Sequence, residues 1–496
     1  MLGLIREHRR FFLGTTLAAL ALRLFFFIYF PTVTDDSRVY ADLATNWLQH
    51  GIYGQTQLTQ IVPTDARLPG YPAFLAAIFW LFGSGNFRAV LLAQILLDLV
   101  TCLVVADLAR RVVSEQAGRI AFVLTALCPF LANYAAAVLT ETLEIFFTAL
   151  VLDCAVAALN RMHEGETGAW KLWGATGAAI SACILLRPDG GILLVAVVSY
   201  LTVAAPKGAS DFESGAISLK RYPDTKLESR RLYRDWKWKS FRSAMSAVVI
   251  VTVFALSPLA PWTIRNFRTL HHFQPLAPRY ANETDELILR GFNRWVRTWM
   301  VDYASVEEIY WNVPGYNIDP EKLPSRALDS ATERDATLAV IADYNQSQKM
   351  TPELDARFGG LAAGRIRVHS VRYYVLLPLL RIADMWLRPR TEILPPDSRW
   401  WEFNDDAKQT AMAVGFGLLN LAYVAAALWA LVRRPPRRPS GIRWVGLLVC
   451  FVLLRSAFLG TLENPEPRYT LECYPVIIVL ASALLARRYG RSEQPA

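Results

Sequence analysis

Residues 11–30 read FFLGTTLAALALRLFFFIYF, and residues 34–54 follow with TDDSRVYADLATNWLQHGIYG. A bilayer core about 30 Å thick needs ~20 mostly apolar helical residues, so the first stretch predicts a membrane-spanning helix. It does not read as a cleaved export signal, because its apolar run is too long and no small-residue cleavage site follows. In the second stretch the period changes. Tyr40, Leu43, Ala44, Trp47 and Leu48 recur at three- and four-residue spacing, with Asp42, Thr45, Asn46 and Gln49 opposite them. This pattern predicts an amphipathic helix lying on the membrane surface, with Asp35, Asp36 and Ser37 at its N-terminus.

The rest of the 496-residue chain agrees with a membrane setting. Hydrophobic residues make up 53% and charged residues 19%, and mean hydropathy is +0.25. Soluble domains carry roughly 25% charge, so this composition excludes an ordinary soluble fold, and ordinary Gly and Pro contents exclude disorder and collagen. Further spans are expected at about 87–109, 119–139, 143–160, 170–186, 190–205, 243–262, 410–431, 443–460 and 474–486, giving an all-α integral membrane protein of about ten transmembrane helices with interfacial helices. Cys102, Cys128, Cys154, Cys183, Cys450 and Cys473 lie in or beside apolar runs with no CxxC spacing. They read as small core residues and give no metal or redox signal.

Lys and Arg cluster in alternate connections, above all 206–242 and the RRPPRR run at 433–438. The positive-inside rule then makes both termini cytoplasmic. The net charge of +9 suits anionic lipid and calls for no nucleic acid. The 206–242 connection lacks apolar periodicity and reads as a partly mobile inner loop. Parity forces residues 371–387 (VRYYVLLPLLRIADMWL) flat on the outer leaflet as an interfacial helix. Three parts result: an N-terminal transmembrane module, 1–262, with a first outer loop at 31–86; an extracytoplasmic segment, 263–409; and a C-terminal transmembrane module, 410–496. Trp295, Trp299, Trp311, Trp386, Trp400 and Trp401 in the outer segment read as an interfacial belt rather than sugar-stacking platforms.

Chemistry concentrates in the outer connections. One helix cap needs one side chain, so a second aspartate at 35–36 is available to deprotonate a hydroxyl or hold a divalent cation. Arg67, in ARLPGYP (66–72), suits either a lipid phosphate or a substrate phosphate clamped by its guanidinium fork. Glu141, in LTETLE, sits in a tight outer turn where solvation alone is an alternative. Arg187, in LLRPDGG, is an ionisable group at membrane depth whose rival role is pairing with Asp189 or an inner-helix carboxylate. Glu463, Glu466 and Arg468 lie beside Tyr469 in LENPEPRYTLECYP, where a ligand rim and solvated charge are equally compatible. His271 and His272 point apart and have no third ligand, so zinc is not expected.

Together DDSRVYADLA, RLPGYP, the TE after the third span, RPDGG, PWTIRN (261–266) and the Glu-Pro-Arg-Tyr run at 466–469 resemble the polytopic glycosyltransferases of the C-type fold (GT-C). Within them the protein mannosyltransferase and lipid A aminoarabinose transferase branch is nearest. The motif order runs over about 31–475, and each motif alone is weak. The resemblance implies a polyprenyl-phosphate sugar donor, a lipid, glycan or protein acceptor, and a site on the extracytoplasmic face of a bacterial plasma membrane. It implies Asp36 as catalytic base with Asp35 beside it, and Glu141 as the second acid. Arg67, Arg187 and Arg468 are expected at the donor phosphate, and Tyr40, Tyr71, Glu463, Glu466 and Tyr469 against substrate. No cofactor is expected, with a divalent cation on Asp35 and Asp36 as the alternative. The rival function is a transporter or flippase of lipid-linked sugars.

Overall fold

The computed structural model describes residues 1–164, 168–216, 226–280, 286–404, 406–433 and 444–492. Among them seven helices are long and apolar enough to cross a membrane: Arg9–Tyr29, Phe87–Val112, Glu141–Glu164, Ala169–Leu186, Phe241–Leu270, Ala407–Val432 and Pro467–Ala486. Three shorter apolar helices, Gly70–Phe82, Pro188–Val203 and Val445–Leu459, accompany them. The expected count of about ten is close, and the protein is an integral membrane protein of helical architecture. The membership differs from expectation at two places described below, 70–82 and 119–139.

The chain divides into two compact units. The first comprises Met1–Pro278, Ala430–Val452 and Ile478–Ala496. Its elements run α1 (Arg9–Tyr29), α2 (Asp35–His50), β1 (Gly54–Gln57), β2 (Gln60–Pro63), α3 (Gly70–Phe82), α4 (Phe87–Val112), α5 (Glu115–Ala126), α6 (Pro129–Tyr134), α7 (Glu141–Glu164), α8 (Ala169–Leu186), α9 (Gly191–Ala216), α10 (Lys226–Leu256) and α11 (Leu259–Leu270). Helices α4, α5, α7, α8 and α10 pack in a bundle, and α2 packs on α3. Leu13, Leu17, Phe25 and Ile28 of α1 are exposed, as befits a face turned to lipid.

The expected span 119–139 is not one helix. α5 ends at Ala126 and α6 begins at Pro129, because proline has no N–H to give the carbonyl of Thr125 four residues back. Arg23 of α1 supplies the missing donors. Its guanidinium bonds the carbonyls of Thr125 and Ala126 and forms a buried ion pair with Asp98 of α4 at 2.7 Å. A second proline, Pro258, separates α10 from α11, so the span expected to end at 262 continues to Leu270. The connection at 206–242 is helical up to Ala216 and from Lys226 onward rather than a loop. Residues 217–225 lie outside the described residues, as does all but the first arginine of RRPPRR.

The second unit comprises Arg279–Trp429 and Leu453–Ile477. Its helices include α12 (Arg290–Val296), α13 (Ala331–Ser347), α14 (Pro352–Val368) and α15 (Leu377–Leu387), while α16 (Ala407–Val432), α17 (Val445–Leu459) and α18 (Tyr474–Ser492) each have residues in both units. Phe292, Trp295, Trp299, Tyr344 and Phe358 form its core. The belt expectation fails for Trp295 and Trp299, which are fully buried edge to face, centroids 5.2 Å apart. Spaced four apart, they share one face of a helical turn. Trp386 is nearly buried and donates to Ser456, whereas Trp311 and Trp401 are exposed.

Residues 371–387, expected as an interfacial helix, carry a buried cation on one face. Arg381 of α15 is buried and donates to the carbonyls of Met300, Gly460 and Arg297. Leu379, Leu380 and Leu387 are exposed on α15. The helix thus points its cation inward at protein carbonyls and leaves leucines outward, which explains how an apolar-looking stretch accommodates Arg381 and Asp384.

Candidate functional site

The amphipathic pattern at 40–48 folds as expected into α2, with Tyr40, Leu43 and Ala44 buried. Its N-cap is Thr34, whose hydroxyl accepts from Ser37 N while Ser37 Oγ accepts from Thr34 N. Neither aspartate caps the helix, contrary to the expectation for one of them. The two carboxylates, on successive helical residues, take different partners. Asp35 is fully exposed beside Arg38, and Asp36 pairs with Arg67 at 3.1 Å. Asp42 and Asn46 turn to the hairpin instead, Asp42 accepting from Thr56 N and Asn46 donating to the Gly54 carbonyl.

The RLPGYP and LLRPDGG motifs meet in space. Gly70 opens α3 against the end of α8, so close that a Cβ there would lie 2.5 Å from the Leu185 carbonyl oxygen. Gly190 lies equally tight on Cys183. Tyr71 is then buried edge-on to Tyr40, centroids 5.1 Å apart, and its hydroxyl donates to Gln94 at 2.7 Å. The Arg67 guanidinium lies 5.9 Å from the Tyr40 ring centre. Arg187, in the turn between α8 and α9, makes both rival pairings raised by the sequence, with Asp189 at 3.3 Å and Glu144 of α7 at 3.7 Å. Glu141 is not a solvated turn residue: it begins α7 and is buried, as is Glu144.

Tyr40 registers this convergence. Burial first of all pushes its hydroxyl up to about 12; Asp36 and Glu141 push the same way, while Arg67 and Arg187 oppose them. Burial works against the charge of Arg67, yet Tyr40 and Asp36 hold its guanidinium above the usual value. The first unit therefore gathers Asp36, Arg67, Tyr71, Glu141 and Arg187 around Tyr40. The half-exposed carboxylate of Asp36 and the partly exposed Arg67 and Arg187 are the groups a ligand can reach.

PWTIRN supports this group. Arg265 of α11 donates to the carbonyls of Thr64 and Tyr53 and stacks on Tyr53 and Trp262. Tyr53 in turn donates to the carbonyl of Arg67 at 3.0 Å. His272 bonds Asp65 at 2.8 Å, and His271 takes no part.

The C-terminal candidates belong to the second unit. Glu466 is buried and accepts from Arg468, Tyr469 and Asn464, and Glu463 is buried between Arg279 and Tyr280. Solvated charge is thus excluded for both acids. Tyr303 lies in the field of Glu466 and Arg468 and lines a polar cavity of about 360 Å³ with Glu307, Arg388, Glu392, Asp397 and Trp400. Burial raises the carboxyl of Glu392 above its ordinary value.

Sequence reasoning passed over Gln94 and the Arg23–Asp98 pair. The signal for the helix residues was present: Gln94 and Asp98 stand one turn apart in an otherwise apolar span, and polar groups at that depth need partners. All six cysteines are unbridged. Among the described residues no group of three or more His, Cys, Asp and Glu is placed to hold a metal ion.

Residues 65–214 match the family model described as dolichyl-phosphate-mannose-protein mannosyltransferase. The matched stretch holds Arg67, Tyr71, Glu141 and Arg187. The solved structures similar to the chain include the oligosaccharyltransferase AglB from Archaeoglobus fulgidus in complex with an inhibitory peptide and a dolichol-phosphate, at 12% identity and a TM-score of 0.46 over 98% of this chain and 51% of that one. ArnT from Cupriavidus metallidurans bound to undecaprenyl phosphate is similar at 15% identity and a TM-score of 0.36, over 97% of this chain and 79% of that one. The chain spans about half the length of the oligosaccharyltransferase. No curated protein matches it.

Proposed function

We propose that the protein is a glycosyltransferase that moves a hexosyl or pentosyl group from a polyprenyl-phosphate donor to an acceptor at the extracytoplasmic surface of a bacterial plasma membrane, both termini being cytoplasmic. The observation that carries this reading is the Asp36–Arg67 pair at the end of a surface helix, with Arg187 and Glu141 gathered on the same tyrosine. A polyprenyl tail stays in the bilayer, so its phosphate must be met at headgroup depth, where α2 begins.

In the reaction the acceptor oxygen attacks the sugar C1 as the C1–O bond to the lipid phosphate breaks, its electron pair leaving with the phosphate. Asp36 takes the acceptor proton, a contribution of about 10²- to 10⁴-fold. Arg67 and Arg187 stabilise the departing oxyanion, and a single displacement inverts the anomeric centre. Arg67 is shared: as it turns to the donor phosphate it releases Asp36 to act as base. The divalent-cation alternative would need Asp35 and Asp36 on one ion, but Asp35 is paired with Arg38 and Asp36 with Arg67. The polar cavity of the second unit supports a part for 263–409 in acceptor choice.

The test is an Asp36→Asn protein, purified and given a polyprenyl-phosphate sugar with its co-purifying acceptor. Retained transfer removes Asp36 from the mechanism. Donor movement across liposomes by the parent protein, without any transfer, would establish the flippase reading instead.

A further inference from the structure

Between α6 and α7 the chain runs non-helically from Ala135 to Thr140, and every residue from Leu131 to Ile145 is buried. Backbone in such a place must find partners from outside its own segment. Three successive carbonyls do so. Ala136 accepts from Thr32 N at 2.9 Å, Ala137 from Gln94 Nε2 at 2.6 Å, and Val138 from Ser37 Oγ at 2.7 Å. Val138 N returns a bond to the Thr32 carbonyl at 3.0 Å. The segment that delivers Glu141 is thereby fastened to the residues that deliver Asp36.

Gln94 is the member that reaches both ways. It is fully buried on a membrane-spanning helix. Its amide N–H serves Ala137, and its Oε1 accepts from Tyr71, whose ring abuts Tyr40 under Arg67. We propose that Gln94 is a positioning residue whose two-ended amide bridge sets the spacing between the Asp36–Arg67 pair and the Glu141 segment. The inference rests on the transferase reading above and adds a residue outside its chemistry. A simple space-filler would need no polar atom here. An amide at this position makes both bonds because it carries a donor and an acceptor on one planar group.

The full-length protein in detergent tests it with two variants, Gln94→Leu and Gln94→Glu. Leucine should lower kcat on the order of 10²-fold while leaving KM for the polyprenyl-phosphate sugar unchanged, since no group touching substrate is removed. Glutamate distinguishes bridge from packing. As a carboxylate it cannot donate to Ala137; as the acid it donates from one oxygen and accepts at the other. Burial at this fully enclosed position raises a carboxyl, so the variant's kcat relative to the parent should be low near about pH 8 and recover toward about pH 5.5. The titratable groups facing it are Tyr71 from α3 and, through Tyr71, Tyr40 of α2 and Glu141 of α7; all are present in the parent, which serves as the reference at each pH. Amide exchange over 136–141, which needs no turnover, should quicken in Gln94→Leu. Unchanged exchange, or an active parent whose leucine variant keeps its kcat, overturns the proposal. So does a glutamate variant equally impaired at both pH values. A parent that transfers no sugar refutes the transferase reading and leaves the exchange measurement to decide the bridge.

Discussion

Replacing Arg23 by methionine should destabilise the first unit by about 3–5 kcal/mol, the cost of breaking a buried pair from one side. The guanidinium and the Asp98 carboxylate lie 2.7 Å apart, with side chains 0% and 3% exposed. The same guanidinium bonds the carbonyls of Ala19, Thr125 and Ala126. Without it Asp98 must stay charged in an apolar surround or take up a proton, and protonation limits the first cost. The Thr125 carbonyl keeps its bond from Cys128 N at 3.3 Å, so each carbonyl bond lost with the guanidinium adds about 0.5–1.5 kcal/mol. Asp98→Asn keeps an acceptor opposite the guanidinium but leaves the Arg23 cation buried without a counter-ion, so it should cost about 3 kcal/mol. Asp98→Leu should cost more than Asn, and combining it with Arg23→Met should return about 2 kcal/mol of coupling. Denaturant unfolding in micelles, followed by tryptophan fluorescence, measures each corner of this cycle. A loss below about 1 kcal/mol for Arg23→Met, the range of an exposed ion pair, would refute the claim that Arg23 completes the break between α5 and α6.

Other perturbations have equally definite outcomes. Gly70→Val forces α3 away from the Leu185 carbonyl; because Arg67 and Tyr71 flank that contact, glycosyl transfer should fall on the order of 10²-fold, and unchanged specific activity would refute it. Arg67→Lys keeps the charge but gives up the planar fork, so KM for the donor should rise more than kcat falls, as initial-rate kinetics would record. In the second unit, burial opposes ionisation of Asp329, but hydrogen bonds from Arg372 and the charges of Arg365 and Arg372 hold its carboxyl below the ordinary value. The ionised form therefore stabilises the unit above the unfolded value of about 3.9, and this contribution is lost as pH falls below it. Fluorescence melts of the parent should weaken between about pH 5 and pH 2, and an Asp329→Asn variant should show a shallower dependence.

What could be read from the sequence was what depends on period and local chemistry. The apolar runs of α1, α4, α7, α8 and α16 have no alternative in water, and α2 was visible because five residues repeat at helical spacing before any partner is known. Gly70, Pro69 and Pro72 announced a turn, though not that α8 lies against it. The failures are those of burial and long-range pairing. Residues 119–139 are apolar throughout, so hydropathy cannot see the break that Pro129 makes and Arg23 of another helix compensates. Trp295 and Trp299 suit a headgroup belt as well as a core, and only their packing on Phe292 and Phe358 decides. Glu141 was legible as an acid near an outer turn but not as a buried one. Gln94 carries the same lesson: its neighbours in space come from α3 and from the stretch before α7, separations of 23 and 43 residues.

Under the proposed reaction, the pairing of Asp36 with Arg67 is better suited to catalysis than two independent groups would be. A base exposed at a membrane surface meets water and cations constantly, and a cationic phosphate site attracts anionic lipid. Paired, each neutralises the other until a ligand brings a phosphate that competes for the guanidinium. Arginine can make that exchange by degrees, because its five donors allow one edge to hold the carboxylate while another engages the phosphate. Tyr40 beneath the guanidinium and the bond from Tyr53 to the Arg67 carbonyl restrict where it can turn. The proton acceptor is then released at the moment the leaving group is bound, and the order of events follows from one side chain having two partners.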